Sequence, residues 1–95
     1  MRSIQRLVWD DWNRKHIKKQ NVTAYEVEEA YTSQSITKQS YQNRIVLIGK
    51  TKKGRTLTIV ISKEKQAAPY IVSARDASKR ERRYYNEQNP TNKTI

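Results

Sequence analysis

The chain has 95 residues, enough for one domain with a small core. It has no cysteine and a single histidine, which excludes a disulfide framework, a thiolate metal site and a zinc site built on imidazoles. Lys and Arg number 20 against 9 acids, a net charge of +11, and that sign points to a polyanion: nucleic acid, an acidic protein or an anionic membrane surface. The excess is uneven. Residues 1–34 hold six basic and five acidic side chains, whereas residues 35–95 hold fourteen and four. The membrane reading is the weakest, because no basic segment also carries an apolar helical stripe. No apolar run reaches bilayer length, and MRSIQRLVWDDW lacks the apolar centre of a signal peptide, so a cytoplasmic protein without a membrane partner is expected.

Ile4 to Trp9 reads as a short first strand, with Leu7 and Trp9 on one side and Ile4 and Val8 on the other. Asp10 is a good N-cap for a helix over Asp11 to Lys19, on which Trp12 and His16 share a face. Thr23 and Glu26 form a capping box for a second helix, with Val22 and Val27 placed as a hydrophobic staple and Ala24, Val27, Ala30 and Tyr31 as its apolar stripe. Residues 32–42 are polar and ambiguous, with room for a short edge strand around Ile36.

Arg44 to Lys50 reads as a strand whose run Ile45-Val46-Leu47-Ile48 implies burial on both faces. Thr51-Lys52-Lys53-Gly54 is a turn with Gly54 suited to positive φ. Arg55 to Ser62 is the next strand, Lys63 to Pro69 a loop, and Tyr70-Ile71-Val72 the final strand. Ser78 and Glu81 then form a capping box for a last helix, and residues 89–95 read as a frayed tail. The expected fold is α+β: a first strand, two helices, an antiparallel meander of three to four strands and a C-terminal helix, with the helices most simply covering one face.

Candidate chemistry lies at the strand ends and on the last helix. Lys50 and Arg55 flank one turn, and Arg75 ends the final strand. Converging, they would clamp a phosphodiester and stabilise charge growing on its oxygens. Lys52 and Lys53 extend this basic edge. His16 is the chain's one histidine, the side-chain type that exchanges protons near neutrality, and would suit RNA cleavage by the adjacent 2′-hydroxyl as general acid or base. Tyr84 and Tyr85 can stack on bases or donate a proton. Lys79, Arg80, Arg82 and Arg83 crowd the first turns of the last helix, against its macrodipole, as on a surface that receives phosphate. With two glycines in the chain, a nucleotide-cradling loop is excluded, and no metal or cofactor is expected.

In this order WDDWNRKHI, NVTAYEVEEAY, RIVLIGKTKKGRTLTIV and IVSARDASKRERRYY resemble the BrnT family of small toxins, across roughly residues 7 to 86. The most specific pieces are Gly49 with Gly54-Arg55, and the pattern formed by Ser73, Ala74, Arg75, Ala77, Glu81, Arg82 and Tyr85. The resemblance implies a fold similar to the RelE ribonucleases. It also implies a metal-independent endoribonuclease that inhibits translation and is held by a ribbon-helix-helix antitoxin. Carried over onto this chain, Arg55, Arg75 and Arg82 are the implied functional positions. Where family members show Lys-His-Gly, this chain has Lys19-Gln20-Asn21, and glutamine cannot serve as an acid or base. Three readings stand: a toxin ribonuclease with Arg55, Arg75, His16 and Tyr85 as catalytic groups and Lys50, Lys52, Lys53, Arg82 and Arg83 on the RNA; a relative that binds RNA or DNA without cutting it; and an interaction protein whose basic face meets an antitoxin.

Overall fold

In the computed structural model, which describes residues 7–33, 35–62 and 69–88 (with the side chains of 39–41 excepted), helix α1 (Asp11–Lys18) begins where its cap is. Asp10 accepts from the Asn13 amide at 2.9 Å, and the Asn13 side chain accepts from the Asp10 amide at 2.9 Å, so each supplies an orphan donor with a partner. Asn13 is fully buried, and its Nδ2 donates to the carbonyls of Val8 at 2.9 Å and Ile71 at 3.1 Å. The expected first strand shrinks to a single parallel bridge between Val8 and Tyr70, with the Val8 amide donating to Pro69; its residues before Leu7 lie outside the described residues. The 63–68 loop and the 89–95 tail also lie outside them.

Helix α2 (Ala24–Thr32) starts on the expected capping box of Thr23 and Glu26, with Val22 and Val27 both buried. The turn between the helices places Asn21 at φ 59, a left-handed conformation that asparagine tolerates. The ambiguous segment is a full strand, β1 (Ile36–Tyr41), followed by β2 (Arg44–Lys50), β3 (Thr56–Ser62) and β4 (Tyr70–Asp76), in the order β1-β2-β3-β4 with every pair antiparallel. Gln42 and Asn43, both at positive φ, make the two-residue turn between β1 and β2, the geometry that matches strand twist. Gly54 sits at φ 93 in the turn between β2 and β3, as its position implied.

Side-chain alternation divides the sheet into two faces. Leu47, Leu57, Ile59, Ile61, Ile71 and Ala74 lie on one and pack with Ile17, Val22, Val27 and Ala30 of the first two helical segments. Ile48, Thr58 and Arg75, paired across the strands, lie on the other, and helix α3 (Lys79–Gln88) covers that face through Glu81 and Tyr85. The helices therefore do not share one face, contrary to the simplest expectation. Ile48 and Thr58 are fully buried and Val46 nearly so, which only a second layer explains, and β2 is a central strand for the same reason. Gly49 faces α2: a Cβ there would run into the Ala30 carbonyl, so glycine is what lets helix and strand approach.

Candidate nucleic-acid interface

Arg55 lies between β3 and the turn that joins α1 to α2. Its Nε donates to Asp76 Oδ1 at 2.7 Å and its Nη2 to Asp76 Oδ2 at 3.2 Å, a bidentate pair. Nη1 donates to the Asn21 carbonyl at 2.7 Å and to Glu26 at 3.0 Å, and Nη2 to the Gln20 carbonyl at 3.4 Å. This one guanidinium thus joins the end of β4, the inter-helix turn and the cap of α2. Asp76 first, and Glu26 after it, raise the Arg55 pKa, and Arg55 in turn holds Asp76 below the ordinary carboxylate value.

Arg75 leaves the opposite face. Its Nη1 and Nη2 donate to the two carboxylate oxygens of Glu81 at 2.8 and 3.0 Å, and Nη1 also reaches the Asp76 carbonyl at 3.1 Å. Glu81 is buried, and it further accepts from Thr58 Oγ1 at 2.8 Å, the Ser78 amide at 2.9 Å and Lys38 Nζ at 3.2 Å. The Arg75 guanidinium, then these other donors, hold its carboxyl far below the usual glutamate range. The expected convergence of Arg55 and Arg75 in one anion pocket is not what the chain builds. Arg75 and Asp76 are consecutive strand residues, so their side chains leave opposite faces, and Arg55 follows Asp76. Each guanidinium is taken by a carboxylate of the chain.

His16 belongs to α1, which lies against β4 on the face away from α3, so it is not brought to Arg75 or Tyr85. Its ring stacks on Trp12, with centroids 4.7 Å apart and planes 10° from parallel. The structure does bring Lys50 to Tyr85, with Nζ 5.8 Å from the ring centroid, a cation–π contact. They border an open groove of about 700 Å³, together with Lys52 and the α2 residues Tyr25, Glu28 and Glu29. Tyr85 is buried against the sheet, as a helix anchor is, while Arg82 is exposed and turns its Nη1 back to the Ala77 carbonyl at 2.9 Å.

The ion pairs among the described residues take up Lys38, Arg55 and Arg75. They leave Lys52 and Lys53 on the turn, and Lys79, Arg80 and Arg83 on α3, exposed and without an acid partner among the described residues; Arg82 is exposed as well and its charge helps to keep Asp76 ionised. What the arrangement can do is hold a polyanion along α3 and the neighbouring turn. Among the described residues no group of acids and histidine is placed to hold a metal ion. Sequence reasoning passed over Tyr25, exposed at the groove, because an aromatic in the first turn of an amphipathic helix carries no signal of its own. It also gave Glu81 no ion-pair partner, although an acid in the cap of a helix that starts just after a strand-end arginine is a signal for a pair.

Comparison with protein-family models, with curated proteins and with solved structures finds no match for this chain. Among the described residues no helix is long and apolar enough to cross a membrane.

Proposed function

We propose that the chain binds RNA through the exposed cations of α3 and the β2–β3 turn, as the toxin half of a type II toxin–antitoxin pair with a ribbon-helix-helix partner. One observation carries the binding: the internal acids consume Arg55 and Arg75 and leave the α3 and turn cations turned outward. Folding alone gives no reason to gather Lys79 and Arg80 at the positive end of a helix dipole. The toxin assignment rests on the resemblance to the BrnT family. It is supported by the architectural use of that pattern: Gly49 lets α2 approach, Arg75 and Glu81 pair, and Asn21 takes positive φ where the family carries glycine. The test is RNA affinity as a function of salt. Each phosphate contact on a single strand contributes about 0.7 to the slope of log K against log salt, so Arg80→Ala with Arg83→Ala is expected to lower the slope by about 1.4. Binding that ignores salt, or that the double variant leaves unchanged, refutes the proposal.

A second reading is metal-independent RNA cleavage, favoured by the Lys50–Tyr85 contact, where a cation and a phenol meet beside the groove. Arg55 and Arg75 serve here by fixing the strand ends, with no phosphate clamp between them. Long RNA incubated with the protein and a chelator is expected to be cut, and Tyr85→Phe, which keeps the ring anchor, is expected to slow the cut. RNA that is bound and stays intact leaves the binding reading alone in place.

A further inference from the structure

The groove that joins α2, the β2–β3 turn and α3 carries chemistry that a uniform basic patch does not. We infer that it receives an unstacked base of a single-stranded RNA, with the flanking phosphates on Lys50 and Lys52; this rests on the RNA-binding reading above. Its volume of about 700 Å³ falls in the range of pockets that take small-molecule-sized groups. Two tyrosines line it, and Tyr25 is 67% exposed, an apolar ring left on the surface of a highly charged chain. Every base has a π-face, so an exposed ring beside cations is a stacking platform that tolerates any sequence.

The two glutamates set the selectivity. Glu28 accepts from Trp9 Nε1 at 2.9 Å and Glu29 from the Lys52 amide at 3.2 Å, so both carboxylates are held in place beside the groove. The amines of Lys50 and Lys52 form no ion pair among the described residues. A duplex presents phosphate along both edges and would set some of it against Glu28 and Glu29. A single strand can turn its phosphates to the lysines and its bases, with their N–H donors, toward the carboxylates and Tyr25.

The experiment measures binding of a labelled oligouridylate, and of the same strand annealed to oligoadenylate, by fluorescence anisotropy at one salt concentration. The intact protein is compared with Tyr25→Ala and Tyr25→Phe; the site is exposed, so neither change disturbs the core. The single strand is expected to bind more tightly than the duplex. Tyr25→Ala is expected to weaken the single strand by about five-fold or more, with Tyr25→Phe retaining affinity and the duplex unmoved. Equal affinity for both forms, or a Tyr25→Ala loss absent or equal on both, overturns the groove and leaves RNA binding standing. Absence of binding to either form overturns both readings.

Discussion

Replacing Glu81 by glutamine keeps the shape of the side chain and removes its charge. One oxygen accepts from Thr58 Oγ1, Arg75 Nη1 and the Ser78 amide; the other accepts from Arg75 Nη2 and Lys38 Nζ. A glutamine can keep the first set with its carbonyl, but its NH2 then faces two cationic donors. Two charge-assisted bonds are lost, each of about 1.5–3 kcal/mol. The side chains of Arg75 and Lys38 are 46% and 35% exposed and can turn to water, which recovers part of the loss. The expected cost of Glu81→Gln is therefore about 2–4 kcal/mol, and of Glu81→Ala about 3–5 kcal/mol, as for one member removed from a buried pair. Urea unfolding followed by far-ultraviolet circular dichroism measures it, since the midpoint falls while the slope holds if stability alone has changed. The pH dependence follows from the sign of the shift. Glu81 ionises more readily folded than unfolded, so its contribution is complete above the ordinary value of 4.5 and fades as pH falls below it. The gap between the native chain and Glu81→Gln should be constant near neutrality and narrow in acid. A gap under about 0.5 kcal/mol at neutral pH, or one that does not narrow below 4.5, refutes the view that this carboxylate fastens α3 to the sheet.

Gly49→Ala forces a methyl group against the Ala30 carbonyl, and backbone has little room to yield; a loss of about 1–3 kcal/mol is expected in the same unfolding measurement. Asn13→Ala leaves the Val8 and Ile71 carbonyls without their donor and takes the Asp10 amide's acceptor from the α1 cap, so thermal unfolding should show a loss of about 1–3 kcal/mol, each kcal/mol lowering the midpoint by about 4–8 °C. Arg55→Ala should destabilise by about 1.5–3 kcal/mol while leaving the salt slope of RNA binding unchanged, because its bonds are all internal. Arg80→Ala with Arg83→Ala should do the reverse, with unfolding within about 0.5 kcal/mol of the native chain and a lower salt slope.

Elements whose cause is local were legible in the sequence. Thr23 with Glu26 and Ser78 with Glu81 are self-contained caps, and Gly54 answers a turn that needs positive φ. The run Ile45-Val46-Leu47-Ile48 announced a central strand buried on both sides, but nothing local in it says that α3 is the layer that covers its second face. Strand β1 was hard to read because its residues are mostly polar and its hairpin turns on Gln42 and Asn43, without the glycine that usually marks such turns. The separation of Arg55 from Arg75 was illegible for a different reason. Charge at a strand end is visible in sequence, but whether a guanidinium meets water or a carboxylate depends on chain segments far away: Arg55 meets Glu26 and Asp76 from other elements. The α3 cations were readable because an exposed helical face needs no distant partner to define it.

The meander, laid down in chain order, has a kinetic consequence. Each hairpin joins neighbouring segments, so the sheet closes through short loops and should assemble early. Helix α1 is the exception: it leans on β4, and the bridge from Val8 to Tyr70 spans most of the chain. During synthesis this first helix emerges long before the strand it docks on, and it must wait in solvent until the ribosome has delivered the fourth strand.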